Sequence, residues 1–311
     1  MSLNILFAAA PERWAEYEAP LRFALAEAGL KYELTPEVGD ASRVDYIVYA
    51  PNGAVQDFRP FTATKVVLNL WAGVEALVDN ETLTQPLTRM VDAGLTEGMT
   101  EWVTGHVLRH HLGMDVQIQG LAGKWASKVP PLARDRSVGV LGLGELGQAC
   151  AQMLAHLNFR VTGWSRRAKE VAGVTALHGD EGLMQVLRSS EILVLLLPLT
   201  PGTENLLDAG RIAMLPKGAV ILNPARGAII DDTALLSALD SGQLDHATLD
   251  VFRTEPLPPE HPFWGHPKVT VTPHIASETR PGTAAQVIAE NISRSEAGEP
   301  LLHLVDRRAG Y

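Results

Sequence analysis

Three short stretches toward the end of the chain set charge or imidazole in apolar surroundings. They are "LNPARGAIID" with Arg226, "LDVFRTEPLP" with Asp250 and Glu255, and "VTPHIAS" with His274. A guanidinium, two carboxylates and an imidazole are groups able to hold a small anion and to move a proton. Earlier, "VGVLGLGELG" (138–147) spaces Gly142, Gly144 and Gly147 as GxGxxG between an apolar run and a helical pattern. That order of strand, glycines and helix is the dinucleotide-binding fingerprint. Gly142 permits the tight turn, Gly144 leaves room for a pyrophosphate, and Gly147 lets helix and strand pack closely. The helix start adds free N–H groups and the positive end of its dipole.

The elements that must position these residues alternate between strand-like and helical. "LNILFA" (3–8) precedes an amphipathic stretch from Pro11 to Gly29, and "KYEL", "VDYIVYA" and "KVVLNL" follow. A polar helix is expected from near Thr100, its N-cap, through "EWVTGHVLRHHLGMDVQI". Residues 122–136 read as a loop broken by Pro130 and Pro131. The alternation restarts at Ser137 with "VGVLG", a helix over 145–157, then "FRVTGW", "EILVLLLP", "AVILN", "HATLDV" and "VTVT". The aliphatic run Ile192 to Leu197 suits a strand covered on both faces. A last helix spans 280–296. The pattern predicts α/β structure with parallel sheets, in two similar domains. In an open parallel sheet the carboxyl ends of the strands face the ligand crevice. Arg226, Asp250, Glu255 and His274 each follow a predicted strand, so they can converge there.

The second strand of the glycine unit ends "RVTGWSRR". Ser165 stands where an NAD-preferring fold carries an acid, and Arg166 and Arg167 follow. A carboxylate would repel a 2′-phosphate, whereas a hydroxyl and guanidinium groups bind it, so NADP is expected over NAD.

Along most of its length, and most densely from 137 to 281, the chain resembles the D-isomer-specific 2-hydroxyacid dehydrogenases. "GVLGLGELG", "LLPLT", "ILNPARG", "LDVFRTEPLP" and "TPHIAS" stand in that family's order and spacing. "SRR", the short length and the ending "VDRRAGY" look most like its glyoxylate/hydroxypyruvate reductase branch. The resemblance implies two Rossmann-like or flavodoxin-like domains with a cleft between them. It makes the substrate domain discontinuous, 1–100 plus 284–311, around a dinucleotide-binding domain at 101–283. It assigns Arg226 to the substrate carboxylate and carbonyl, His274 to acid/base work, and Glu255 to the other imidazole nitrogen. Ketone reduction builds negative charge on oxygen, which calls for a cation and a proton donor beside it. A neighbouring carboxylate favours the protonated form of an imidazole.

Cofactor contacts are implied at Gly142, Gly144, Glu145, Leu146, Gly147, Ser165, Arg166, Arg167, Leu197, Pro198, Pro224, Ala225, Asp250 and Ser277. Trp71, Ala72, Gly73 and Val74, in "NLWAGVEALVD", match the family loop that holds the substrate carboxylate with backbone N–H groups. Here Trp71 replaces a glycine and Glu75 an aspartate; the tryptophan either narrows the pocket or packs between domains. The family is usually homodimeric, with the helix near 101–118 as the expected contact. The expected reaction is NADPH-dependent reduction of small 2-keto acids, such as glyoxylate or hydroxypyruvate, to D-2-hydroxy acids. A phosphoglycerate-type dehydrogenase and a dinucleotide-sensing corepressor-like protein are the alternatives.

Composition narrows the classes further. The 311 residues are 46% hydrophobic and 20% charged, with a formal charge of −10. That acidity argues against nucleic acid as a partner. A lone cysteine, Cys150, rules out an intrachain disulfide and a cysteine-rich metal site, and reads as a small buried residue on a helix. His106 and His110 share a helix face without a third ligand at a telling spacing, so no metal is expected. "HPFWGHP", with Trp264, reads as a Pro-punctuated loop. No window approaches a membrane span, and the N-terminal apolar run is short for a signal peptide. The expected location is cytoplasmic.

Overall fold

The computed structural model describes residues 2–123, 125 and 127–310. Lys124 and Ala126 of the expected 122–136 loop, and Met1 and Tyr311 at the ends, lie outside the described residues. The chain forms two compact units, Met1–Leu95 with Glu278–Tyr311, and Thr96–Ser277. From the sequence alone these limits fall at 100/101 and 283/284.

The first unit is built on five parallel strands: β1 (Leu3–Ala8), β2 (Tyr32–Thr35), β3 (Tyr46–Tyr49), β4 (Val66–Asn69) and β5 (Leu87–Thr88). They lie in the order β2-β1-β3-β4-β5. Strands β3 and β4 are buried at every position, as continuous apolar runs must be when both faces are covered. One cover is α1 (Trp14–Glu27), which packs against the C-terminal helix Pro281–Ala297. Tyr17, Leu21 and Leu25 repeat every fourth residue on α1, as Ala284, Ile288 and Ile292 do on the C-terminal helix, so each presents one apolar stripe to the same core. The opposite face is closed by Phe58, Phe61, Leu77 and Leu83, Leu77 lying on the short α2 (Glu75–Val78).

The second unit begins within α3 (Ala93–Leu112), followed by α4 (Met114–Ile118). Its strands are β6 (Ser137–Leu141), β7 (Arg160–Ser165), β8 (Thr175–His178), β9 (Ile192–Leu195), β10 (Ala219–Asn223), β11 (Leu244–Leu249) and β12 (Val269–Val271). All are parallel, in the order β12-β11-β10-β9-β6-β7-β8. Read from β8, this is the doubly wound 3-2-1-4-5-6 order with a seventh strand added. The intervening helices α5 (Glu145–His156), α6 (Gly179–Ser189), α7 (Ala209–Ile212) and α8 (Asp232–Ser241) cover its faces. Cys150 is fully buried on α5, and burial pushes its thiol up to about 12.

One expectation needs correction. The helix expected to start at Thr100 starts at Ala93. Asp92 supplies the cap, its Oδ1 accepting from Leu95 N at 2.9 Å, and Thr100 turns its hydroxyl back onto the Thr96 carbonyl at 2.7 Å. The same Asp92 oxygen accepts from Thr283 Oγ1 at 2.6 Å, a partner 191 positions away that local patterning does not reveal. Strands β5 and β8 also went unread; each is short and lies at a sheet edge. Among the described residues, no helix is long and apolar enough to cross a membrane.

Helix α3 is locked to the β11–β12 edge by a partly buried polar cluster. His110 Nε2 is 2.9 Å from Thr248 Oγ1, His246 Nε2 is 2.8 Å from Thr270 Oγ1, and the two imidazoles lie 5.0 Å apart. Arg109 donates to Thr270 Oγ1 at 3.0 Å and to Asp115 at 2.6 Å. His106, one turn back, lies against Trp102 at 4.3 Å. Among the described residues, no three His, Cys, Asp or Glu side chains group as metal ligands.

Burial first, then repulsion of added charge by the His246 ring and the Arg109 guanidinium, pushes His110 down from 6.5 to about 3. A folded-state value below the unfolded one means protons favour unfolding. Full stability is therefore present above pH 6.5 and is lost as pH falls toward the folded value. This single group should remove ~2 kcal/mol by pH 5. Urea melts at pH 7 and pH 5 should show a smaller drop in His110→Gln than in the wild type; an equal drop rejects the assignment.

Candidate active site

The glycine turn joins β6 to α5 at the centre of the second sheet. Gly142 has φ +106°, and a Cβ there would lie 2.4 Å from the Leu196 carbonyl oxygen. A Cβ on Gly147 would lie 1.7 Å from the Gly142 carbonyl oxygen, so no larger residue fits without moving backbone. Around Gly144 nothing lies within 4 Å of the Cβ position, so the turn opens onto free space at the start of α5. Glu145 and Leu146 form the first turn of that helix, where backbone N–H groups lack helical partners. Lys169 Nζ donates to the Leu143 carbonyl at 2.6 Å and Gln148 Nε2 to the same oxygen at 3.1 Å, bracing the turn from two sides.

The remaining dinucleotide candidates follow neighbouring strands. Ser165 ends β7; its hydroxyl donates to the Arg167 carbonyl at 2.7 Å and shapes the turn that exposes Arg166 and Arg167. Leu197 and Pro198 follow β9, and Pro224 and Ala225 follow β10. Strand order reverses between β9 and β6, the switch point where open α/β sheets bind ligands. A turn with room at Gly144, a helix start and no acid at Ser165 together fit a dinucleotide carrying an extra phosphate. Ser277 lies on the segment after β12, where its hydroxyl packs against Gly98.

Strands β10, β11 and β12 are adjacent, and the loops after them carry the charged residues. Arg226 follows β10, its turn held by Asn223, whose Nδ2 donates to the Arg226 carbonyl at 3.0 Å and whose Oδ1 accepts from Ala225 N at 3.1 Å. After β11, Glu255 Oε1 accepts from Phe252 N at 2.8 Å, and its Oε2 lies 2.7 Å from His274 Nδ1. The carboxylate therefore accepts a hydrogen bond from Nδ1–H, which leaves Nε2 as the ring nitrogen turned away from it. The His274 side chain is half exposed.

His274 sits at φ +54°, left-handed backbone that costs a non-glycine residue roughly 1–2 kcal/mol. Asp250 holds it there. This buried carboxylate accepts from Thr272 Oγ1 at 2.6 Å, Ile275 N at 2.9 Å and Ala276 N at 2.9 Å, while its carbonyl accepts from His274 N at 2.8 Å. Hydrogen bonds to a charged acceptor contribute about 1.5–3 kcal/mol each, so the clamp outweighs the strain. Sequence reasoning marked Asp250 only as a cofactor neighbour and missed its grip on the His274 turn. It also missed Asn223, which precedes "PARG" in plain sight.

In the first unit, Trp71 to Val74 form the turn after β4. Asn69 shapes it, donating from Nδ2 to the carbonyls of Trp71 at 2.9 Å and Gly73 at 3.0 Å. Trp71 is exposed, Ala72 and Gly73 partly buried, and Val74 buried. Trp264, also exposed, donates its indole N–H to the Pro258 carbonyl at 3.0 Å.

Residues 104–276 match the model of the D-isomer specific 2-hydroxyacid dehydrogenase, NAD binding domain. A glyoxylate/hydroxypyruvate reductase A from Yersinia enterocolitica is 40% identical over 282 residues, spanning 88% of this chain and 90% of that one. A D-isomer specific 2-hydroxyacid dehydrogenase from Xanthobacter autotrophicus Py2, solved with NADPH and MES, is 42% identical with TM-score 0.92 over 100% of both chains. An NADPH-dependent glyoxylate/hydroxypyruvate reductase from Sinorhizobium meliloti, solved with NADP and sulfate, is 37% identical with TM-score 0.88, again over 100% of both. The chain belongs to the D-isomer specific 2-hydroxyacid dehydrogenases.

Proposed function

We propose that this enzyme reduces small 2-keto acids, glyoxylate and hydroxypyruvate foremost, to D-2-hydroxy acids with NADPH. The observation that carries the reading is the 2.7 Å contact between Glu255 and His274 Nδ1, on the loop next to that of Arg226. Relatives named glyoxylate/hydroxypyruvate reductase, at 40% identity over most of the chain, support the substrate class. Neighbours solved with NADPH or NADP support the cofactor, as does the Ser165–Arg166–Arg167 turn.

Bound NADPH would supply a hydride to the keto carbon. Arg226 holds the substrate carboxylate and polarises the carbonyl, so that negative charge growing on its oxygen meets a fixed cation. His274 delivers a proton from Nε2 to that oxygen. Glu255 holds the ring's orientation through Nδ1. The turn Trp71–Val74 is a substrate-binding candidate on the resemblance alone. Gly142, Gly144, Glu145, Leu146 and Gly147 would cradle the pyrophosphate. Ser165, Arg166 and Arg167 would bind the 2′-phosphate, with Leu197, Pro198, Pro224, Ala225, Asp250 and Ser277 along the rest of the dinucleotide.

The same reading makes the enzyme a cytoplasmic homodimer. Support for the dimer is a run of exposed apolar side chains after α3: Val116, Ile118, Trp125, Val129 and Leu132, with Trp125 97% exposed. Apolar side chains gathered in this way mark a surface that another chain covers.

NADPH oxidation should be measured with a panel of 2-keto acids; turnover of none rejects the function. His274→Ala and Arg226→Ala should each lower kcat/KM by ~10²-fold or more while NADPH still binds with wild-type affinity. Wild-type turnover in either variant rejects its assignment. In Arg166→Ala/Arg167→Ala, the KM for NADPH should rise tenfold or more, by about 1.4 kcal/mol of lost phosphate contact, with that for NADH unchanged. An intact preference for NADPH counts against the 2′-phosphate site.

A further inference from the structure

The loop that carries Glu255 bears a second charge, Arg253, whose guanidinium reaches the segment that follows Arg226. Its Nη2 donates to the Ile230 carbonyl at 2.6 Å, to the Ala228 carbonyl at 3.4 Å and to Oδ1 of Asn205. Its Nε stands 3.6 Å from the Asp232 carboxylate, in the first turn of α8. The two segments also meet backbone to backbone. A Cβ on Gly227 would lie 2.1 Å from the Phe252 carbonyl carbon and 2.5 Å from Arg253 N. The residue after Arg226 thus abuts the stretch whose Phe252 N–H binds Glu255 Oε1.

We infer that Arg253 is a positioning residue: it ties the Arg226 loop to the Glu255 loop and so fixes the distance between the cation that grips the keto acid and the imidazole that protonates it. The inference rests on the reductase reading above. Loops 250–255 and 272–276 are already joined, by Asp250 and by the Glu255–His274 contact. Arg253 supplies the tie on the other side, so the loops after β10, β11 and β12 form one laced unit. A planar fork of donors suits this task, because it can meet two carbonyls, an amide oxygen and a carboxylate from one position. An ammonium could still offset Asp232 but could not span the same acceptors.

A structural role alone would be different. Burial pushes the Asp232 carboxyl up, against the opposing pull of the Arg253 guanidinium, and the His261 ring lies 3.9 Å away. If Arg253 only offset that charge, removing the charge would make Arg253 dispensable.

The test compares wild type, Arg253→Lys, Arg253→Ala and Arg253→Ala/Asp232→Asn in steady-state glyoxylate reduction, NADPH binding by fluorescence, and thermal melting. A displacement of about 1 Å at a reacting centre costs up to ~10²-fold in rate. Arg253→Lys and Arg253→Ala should therefore raise the keto acid KM and lower kcat, each about tenfold, with the Kd for NADPH within twofold of wild type. The double variant should regain the part of the Tm that Arg253→Ala loses to the unpaired Asp232 charge, and keep the kinetic defect. Where Arg253→Ala does not fold, Arg253→Lys and the double variant carry the same comparison. Wild-type kcat/KM in Arg253→Lys or in the double variant overturns the inference alone. So does a loss of NADPH affinity in proportion to kcat/KM. A wild-type enzyme inert toward every 2-keto acid overturns the reductase reading, and this inference with it.

Discussion

The contact between Glu255 Oε2 and His274 Nδ1, 2.7 Å long, is the interaction around which the second unit is organised. It joins residues 19 positions apart on different loops, and it works only if the imidazole is turned to receive the carboxylate. That orientation demands left-handed backbone at a residue that does not favour it. The surrounding structure meets that demand: Asp250, buried just after β11, binds Thr272 before the histidine and Ile275 and Ala276 after it. One carboxylate sets the backbone and the other sets the ring.

Sheet topology explains why such an arrangement is reachable. Parallel strands place all their carboxyl ends on one edge, so successive βα loops become neighbours however far apart they are in sequence. Here β10, β11 and β12 are consecutive in space, and their loops carry the cation, the carboxylates and the imidazole. The glycine turn sits two strands further along, after β6, with β9 between. Close packing of Gly147 against the Gly142 carbonyl brings the α5 N-terminus to that same edge. A cofactor lying along the edge from β7 toward β12 would present one end to the arginine turn and the other to His274.

Much of this was legible before any coordinates. Covered parallel strands are long apolar runs, and "ILVL" or "AVILN" betray themselves by composition. GxGxxG, the arginines after Ser165 and the pairing of Glu255 with His274 were read from residue type, order and resemblance. What stayed hidden depends on distant partners. The start of α3 is set by Asp92 together with Thr283, and Thr100 looks like a cap only if its neighbourhood is judged locally. The two-residue β5 has no periodicity to detect. The grip of Asp250 on the 272–276 turn and of Asn69 on the Trp71 turn are side-chain to backbone bonds, and a sequence does not reveal which backbone a short polar side chain will find.

The account stands on Glu255 and His274 acting as one device, with the carboxylate contributing through the imidazole. A double-mutant cycle in kcat/KM for glyoxylate reduction, using Glu255→Ala, His274→Ala and both together, measures that coupling directly. If the pair is a unit, the double variant loses no more than His274→Ala alone, within about threefold, because the carboxylate has nothing left to orient. Losses that multiply, the double variant falling by the product of the two single effects, would contradict it.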